Sequence, residues 1–263
     1  MLQGSPSPAD PAPGPGPLMR AHRGTALALL GTSVACWLFV AWLAIDMETP
    51  LAQLAMPTSR AWTSANLLAV WAMWCVMMVA MMLPSALPMV LTFVQVARRN
   101  GEHGRARAFV AAYGLVWLGF ATAGTVAQWL LQRSGLVDPM AVSRSTGLTV
   151  LLLLLAGVYQ FSPLKRACLR SCRTPLGFLL GHWRPGVRGA FSMGLRHGML
   201  CLGCCWALMG LLFIGGMMNL SWVAALAIAV AIEKLAPGGE RVATALGVGL
   251  IVAATVKLIV GGI

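Results

Sequence analysis

The stretch MGLRHGMLCLGCCWALMGLLFIGGMM, residues 193–218, is the most informative segment of this chain. Arg196 is its one charged residue, and the run exceeds the roughly 20 residues that a helix needs to cross a bilayer. Backbone amides inside a bilayer must find their partners within the segment, so the run is expected to be helical. The stretch therefore predicts a membrane-spanning α-helix that carries one histidine and three cysteines.

The whole chain has the composition of a membrane protein. Hydrophobic residues make up 59% of its 263 residues and charged residues only 10%, whereas soluble domains carry roughly 25% charged residues. The formal net charge of +12 is also typical of nucleic-acid-binding proteins. Because the basic residues lie in short loops between apolar runs, we expect a lipid bilayer as the partner and no nucleic acid.

Apolar runs recur along the chain, without the alternating pattern of a membrane β-barrel. We predict an all-α, polytopic transmembrane helix bundle of about seven spans, or six if the short sixth run does not cross. The predicted spans are residues 25–45, 67–93, 107–131, 146–161, 193–218, 219–235 and 242–260. Residues 1–24, rich in Pro and Gly, are predicted to be a disordered cytoplasmic tail, and residues 25–263 the transmembrane domain.

The loop charges predict the orientation of the bundle. The segment before span one and the loops after spans two, four and six are basic, whereas the other loops are nearly neutral. Since cytoplasmic loops carry the excess of Lys and Arg, we predict a cytoplasmic amino terminus and a basic cytoplasmic loop over residues 162–188. The basic residues are Arg20, Arg23, Arg98, Arg99, Arg105, Arg107, Lys165, Arg166, Arg170, Arg173, Arg184, Arg188, Lys234 and Arg241.

Four candidate metal ligands share one face of the fifth span: His197, Cys201, Cys204 and Cys205. Their offsets of 4, 7 and 8 residues return to nearly the same side of an α-helix. Imidazole and thiolate groups are ligands that zinc and copper prefer. His197 and Cys205 are about 12 Å apart along the axis, too far for one ion to bind both. We expect half-sites, completed from elsewhere in the chain or from a second protomer.

The basic loop contributes two further candidate ligands, Cys168 and Cys172. Their i, i+4 spacing puts the Cβ atoms about 5–6 Å apart on a helix, wider than the roughly 3.5–4.5 Å of a relaxed disulfide. The spacing suits two thiolates that bind one ion, and incidental thiols in a basic loop are the equal alternative.

Span two is rich in methionine and tryptophan. Trp71, Cys75, Met78 and Met82 follow one stripe, from which we take Cys75 and Met78 as candidate ligands for a soft metal. Core packing is the commoner role for such residues. Two prolines, Pro84 and Pro88, are expected to kink or loosen the end of this helix.

Glu233 and Lys234 end the sixth span on the predicted cytoplasmic side. Glu233 could relay protons that thiols release when they bind metal, or it could meet Arg196. The favoured alternative is an ion pair between Glu233 and Lys234 that anchors the helix ends.

Three strings resemble those of a bacterial family of predicted metal-binding integral membrane proteins. They are AMMLPSALPM at 80–89, YQFSPLK at 159–165 followed by Cys168 and Cys172, and HGMLCLGCCW at 197–206. Glu233 and Lys234 fit as well, and the resemblance covers roughly residues 25–260. It implies a domain of unknown function, some members of which are labelled copper chaperones.

These features favour a multi-pass protein of the bacterial inner membrane that delivers, sequesters or transports a metal ion. Cu(I) is the first choice, because thiolates and thioethers select it, and Zn is the second. A homo-oligomer or a partner metalloprotein would share the ion. No hydrolytic constellation is visible, so we do not expect an enzyme. Two alternatives stay open. One is a membrane thiol–disulfide oxidoreductase that uses the same five cysteines, of which Cys201 and Cys204 form a C-x-x-C. The other is a structural or assembly subunit.

Overall fold

The computed structural model of the protein describes residues 17–59, 61–99 and 104–261. These residues form eleven α-helices and no named β-strand, which confirms the all-α class. The helices are α1 (Pro17–Ile45), α2 (Pro50–Ala55), α3 (Ser64–Arg99), α4 (Arg105–Arg133), α5 (Thr146–Tyr159), α6 (Pro163–Arg173), α7 (Pro175–His182), α8 (Gly186–Gly210), α9 (Leu212–Gly215), α10 (Leu220–Leu235) and α11 (Gly239–Gly261).

The predicted disordered tail, residues 1–24, overlaps the first helix of the structure. Residues 1–16 lie outside the described residues, but α1 already begins at Pro17, so residues 17–24 are helical. Proline suits the first turn of a helix, where its missing N–H would have no partner. The side chains of Arg20, Arg98 and Arg99, on which the predicted orientation partly rests, also lie outside the described part.

Within the described ranges, five helices are long and apolar enough to cross a membrane, so the seven predicted spans are not confirmed. The five are α1, α3, α4, α8 together with α9, and α11. The predicted fourth span corresponds to α5, which has only 14 residues. Helix α6 follows at an angle of 64° to α5, so the two helices together form at most a sixth, broken span. The predicted sixth span becomes α10, whose 16 residues extend about 24 Å, short of the ~30 Å hydrocarbon core.

The break between α5 and α6 follows from Ser162 and Pro163. The Ser162 side chain accepts a hydrogen bond from the Lys165 amide and so caps the start of α6. Pro163 has no N–H with which to continue the hydrogen bonding of α5. After the break, α6 packs against α8 instead of extending α5. The bend therefore carries the two cysteines of α6 toward the centre of the molecule.

Helix α8 is the central helix. In an 18-residue apolar stretch of α8 and α9, 56% of the residues are buried. The corresponding share is 17% in α1 and in α11, which lie on the outside. Its most extensive contact is with α4, where a Cβ at Gly194 would collide with the Phe109 carbonyl oxygen. A Cβ at Gly198 would lie 2.8 Å from Cγ2 of Val116. These glycines let the two backbones approach closely, as in membrane helix pairs.

Helix α3 runs unbroken through its two prolines, where we expected a kink or a loosened end. Pro84 cannot donate a hydrogen bond to the carbonyl of Ala80, four residues earlier. Helix α1 replaces that donor, because Ser33 Oγ and Trp37 Nε1 each donate to the Ala80 oxygen at 3.0 Å. The freed carbonyl group is thus satisfied by a neighbouring helix, and the following turn stays helical.

Candidate thiol site

Three cysteines lie on the buried face of α8: Cys201, Cys204 and Cys205, each no more than 2% exposed. The thiols of Cys204 and Cys205 both donate to the carbonyl oxygen of Cys201, at 3.0 and 3.1 Å. Such backward bonds to an earlier carbonyl are a common way to satisfy a short polar side chain inside a helix. The Cys201 thiol instead faces groups from other helices.

Two helices bring polar groups to the Cys201 sulfur. Its Sγ lies 3.0 Å from Nζ of Lys234 on α10 and 3.2 Å from the phenol oxygen of Tyr113 on α4. The Tyr113 hydroxyl also donates toward the Met82 carbonyl oxygen on α3, at 3.5 Å. Cys201 is therefore the point at which α3, α4, α8 and α10 meet.

The ammonium group of Lys234 is enclosed, with 5% of the residue exposed. Besides Cys201 it reaches Cys205, with Nζ 4.0 Å from Sγ. On α3 it lies 3.9 Å from the thioether sulfur of Met82 and donates to Ser85 Oγ at 3.3 Å. The Cys205 sulfur is itself 3.9 Å from that of Met82. Two thiols, a thioether and a hydroxyl thus surround one buried cation.

Helix α6 adds thiols to the same region. Cys172 is half-buried and packs against the apolar core that contains Cys201 and Cys204. A Cβ at Gly203 would lie 2.8 Å from the Cys168 sulfur, so a larger residue there would force this sulfur to move. We call Cys172, Cys201, Cys204 and Cys205 the thiol cluster. Cys168 lies beside it, next to Gly203.

Glu233 and Lys234 do not pair with each other, contrary to the favoured expectation. A carboxylate oxygen of Glu233 lies 2.7 Å from Nζ of Lys165, and both side chains are 1% exposed. The other oxygen accepts from Gln160 Nε2 at 2.8 Å. Neighbouring residues of a helix point in different directions, so Glu233 turns toward α5 and α6 while Lys234 turns toward α3 and α8. The Glu233 side chain is held by Lys165 and Gln160, and no bond to Arg196 is present among the described residues.

Arg173 adds to this junction at the end of α10. It donates to the carbonyl oxygens of Glu233 at 3.1 Å and Ala236 at 2.6 Å. Basic groups at a helix C-terminus satisfy its free carbonyls and complement the helix dipole. Lys165 and Arg173 thus hold α6, which carries Cys168 and Cys172, against α10.

His197 lies in an aromatic cage one turn from Cys201. Its ring stacks on Phe109 and Tyr113, with centroids 5.9 and 5.7 Å apart, and meets Phe178 of α7 edge-on at 5.6 Å. His197 is 2% exposed, and its Nδ1 has no hydrogen-bond partner among the described residues. The stripe that we predicted as one row of ligands is therefore divided between sulfur and aromatic surroundings.

Cys75 and Met78, the candidate ligands of span two, pack in the main apolar core. Met82, further along the same stripe, is the residue whose sulfur meets Cys205. Cys75 lies two turns earlier, about 10 Å along the axis. All seven cysteines are free thiols. Among the described residues, no three His, Cys, Asp or Glu side chains are arranged to hold a metal ion as they stand.

Several contact residues were not singled out from the sequence: Ser85, Tyr113, Gln160 and the specific pairing of Lys165. A signal for three of them was present, because Ser85 lies in AMMLPSALPM and both Gln160 and Lys165 lie in YQFSPLK. These polar residues stand inside apolar or tightly turning segments, where a buried polar group needs a partner. Tyr113 gave no comparable signal.

No curated protein and no solved structure matched this chain. A family model described as PpoB2, copper chaperone, matches residues 71–257. The matched part contains every residue of the thiol cluster as well as Met82, Lys165, His197, Glu233 and Lys234. Because the match covers well over half of the sequence, the chain belongs to the PpoB2 copper chaperone family.

Proposed function

We propose that the protein binds Cu(I) at the thiol cluster and delivers, sequesters or exports the ion at the bacterial inner membrane. The observation that carries the proposal is the packing of α6, which holds Cys168 and Cys172, against α8, which holds Cys201, Cys204 and Cys205. Metal sites are built where donor groups from separate elements converge on one point. The copper chaperone label of the family supports the same ion.

The chemistry of the donor atoms favours Cu(I). Thiolate and thioether ligands are soft and select Cu(I), whereas carboxylate oxygens suit harder ions. The groups next to the thiol cluster include the Met82 thioether, the Lys234 ammonium and the Tyr113 hydroxyl. The nearby Glu233 carboxylate is held by Lys165 and Gln160. The residues present therefore fit a soft monovalent ion, with Zn(II) as the second choice.

Binding requires a small rearrangement of the thiols. Cys204 and Cys205 point back to the Cys201 carbonyl oxygen, and this orientation leaves no ready-made ligand set among the described residues. Rotation about χ1 moves a cysteine sulfur between staggered positions without moving the backbone. Each thiol loses its proton on binding the metal, and the bond to the carbonyl oxygen is then lost.

The membrane setting is part of the proposal. Its support is the presence of five long apolar helices and the large apolar side chains exposed on the outer helices, such as Leu38 of α1 at 66% and Val260 of α11 at 69%. We propose a cytoplasmic amino terminus, as the basic loops indicate. A second copy of the chain or a partner metalloprotein would receive the ion.

Elemental analysis of the detergent-purified protein, kept reduced and anaerobic, tests the proposal. After loading with Cu(I) and gel filtration, we expect about one copper per chain, bound well enough to survive exchange. Replacement of Cys172, Cys201, Cys204 and Cys205 by serine removes the copper. Cys36→Ser is the matched control, because Cys36 lies on the outer helix α1, and it retains the wild-type stoichiometry.

Two results would contradict the proposal. Equal copper content in the wild type and the quadruple variant would show that copper binds outside the thiol cluster. Absence of copper from both proteins would show that the protein does not bind it. In the second case a reversible disulfide between Cys172 and Cys201 or Cys204, seen by differential alkylation, would support the oxidoreductase alternative instead.

A further inference from the structure

The buried ammonium of Lys234 has sulfur atoms where an ion pair would have a carboxylate. Its neighbours are Cys201 Sγ at 3.0 Å, Ser85 Oγ at 3.3 Å, Met82 Sδ at 3.9 Å and Cys205 Sγ at 4.0 Å. No ion pair joins it to an acidic group of the described residues, since Glu233 pairs with Lys165. A buried charge is costly unless an opposite charge compensates it.

The sulfur atoms are the groups that can provide this compensation. A cysteine becomes an anion when it binds a metal. Cys201 and Cys205 are one helical turn apart, and side chains at this spacing lie on the same side of the helix and can meet at one atom. Both sulfurs are within 4.0 Å of Lys234 Nζ. The ammonium group thus lies beside two ligands that acquire negative charge together.

We propose that Lys234 is the built-in counter-ion of a two-thiolate site formed by Cys201 and Cys205, and that its charge makes the site select Cu(I) over Zn(II). This inference rests on the proposed function and names the residue that determines which ion is held. Two thiolates with one Cu(I) carry a single net negative charge, which the ammonium neutralises. Two thiolates with one Zn(II) are already neutral, so the ammonium would remain as an uncompensated positive charge.

The position of Met82 agrees with this assignment. Its thioether lies 3.9 Å from both the Cys205 sulfur and Lys234 Nζ, and it adds a soft ligand without adding charge. A thioether therefore strengthens binding of Cu(I) and leaves the charge balance unaltered. Ser85, at 3.3 Å, accepts one hydrogen of the ammonium and keeps it near the sulfurs.

The test compares the affinities of the wild type and a Lys234→Met variant for Cu(I) and for Zn(II). Each ion is titrated in detergent against a chromogenic chelator of known affinity for it. Methionine is unbranched and of similar length, so the substitution removes the charge and keeps the bulk. We expect the Cu(I) affinity to fall by about 100-fold, as for a buried charge that loses its partner. The Zn(II) affinity is expected to stay the same or rise, which inverts the preference.

Two control variants separate charge from position. Lys234→Arg keeps the positive charge and is expected to keep the preference for Cu(I). Lys257→Met removes a lysine from the exposed side of α11 and is expected to change neither affinity. If the Lys234→Met protein does not fold, the arginine variant decides alone: an unchanged preference supports the inference, and a lost preference overturns it.

The possible outcomes distinguish failure of this inference from failure of the proposed function. A wild-type protein that binds no Cu(I) contradicts the proposed function itself. A wild type that binds Cu(I), together with a folded Lys234→Met variant of unchanged preference, overturns only the role of Lys234. An equal fall in both affinities also overturns it, because Lys234 would then position the sulfurs without selecting the ion.

Discussion

Cys201 and His197 lie one turn apart on the buried face of α8, but their neighbours differ in kind. Cys201 meets an ammonium group and a phenol oxygen. His197 is enclosed by three aromatic rings, and its Nδ1 has no partner among the described residues. The Tyr113 ring stands between the two, with its hydroxyl toward Cys201 and its face toward His197.

The difference shows that a shared helix face does not make a shared site. Periodicity places side chains on one side of α8, but the packed elements decide what those side chains meet. Helix α10 brings an ammonium to the cysteines of α8, and α6 packs its two cysteines against the same helix, whereas α7 brings Phe178 to His197. We therefore propose that the sulfur region binds the ion and that His197 has a packing role.

Removal of the charge on Glu233 is expected to have the largest effect on stability. Glu233 holds Lys165 of α6, the helix that carries two cysteines of the sulfur region, and among the described residues it makes no hydrogen bond to the aromatic cage of His197. Glu233→Gln leaves Lys165 as an unpaired charge that is 1% exposed, which costs roughly 3–5 kcal/mol in the free energy of unfolding. The measurement is thermal or denaturant unfolding in detergent. Glu240→Gln is the control: its pair with Arg170 is exposed, so the unfolding midpoint should not move. Similar midpoints for both variants would contradict a structural role for the buried pair.

Copper affinity is expected to separate the two halves of the α8 face. Cys201→Ser removes a proposed ligand and should lower the Cu(I) affinity by at least about 100-fold. Loss of a group that only supports a ligand already costs roughly 10–100-fold, and loss of the ligand itself should cost no less. His197→Phe continues the aromatic cage and should leave the affinity unchanged. Competition with a chromogenic chelator measures both. A large loss in the histidine variant would return His197 to the site.

The close approach of α6 and α8 can be tested at Gly203. A methyl group there would lie 2.8 Å from the Cys168 sulfur, so Gly203→Ala displaces this side chain at the contact of α6 with α8 and should destabilise the fold by about 1–3 kcal/mol. Gly119→Ala on α4 is the control, since nothing lies within 4 Å of its Cβ position. Alanine is the better helix former, so the control should be neutral or more stable by up to ~1 kcal/mol. Equal stability of the two variants would show that α6 does not depend on this contact.

The methionines of α3 provide the smallest expected effect. Met82→Leu removes the thioether beside Cys205 and should lower the Cu(I) affinity by about tenfold, the lower end of the contribution of a supporting group. Met78→Leu, one turn earlier and buried in the apolar core, should change it little. The reverse order of effects would favour the ligand that we predicted from the sequence over the one that the structure brings to the site.

Local signals in the sequence predicted the long helices and the buried stripe of α8. Hydrophobic runs and i, i+4 spacing depend only on neighbouring residues, so α1, α3, α4, α8 and α11 could be expected from them. The family could also be recognised, from the strings around Pro84, Pro163 and Cys201. The match to residues 71–257 confirms that resemblance.

The remaining features depend on contacts between distant parts of the chain. A Ser-Pro pair such as Ser162-Pro163 marks a break, but it does not say whether the next segment is a loop or a helix that folds back onto α8. Glu233 and Lys234 could be placed at a helix end, but their partners on α6, α3 and α8 could not. The aromatic surroundings of His197 depend in part on Phe178, nineteen residues earlier in the chain.

X-ray absorption spectroscopy of the Cu(I)-loaded protein identifies the atoms bound to copper and so tests whether sulfur alone binds the ion. We predict a first shell of sulfur alone, identical in the wild type and in His197→Phe, and lost in Cys201→Ser. A first shell that contains imidazole nitrogen, and that changes in His197→Phe, would contradict the division of the α8 face into a sulfur site and an aromatic cage.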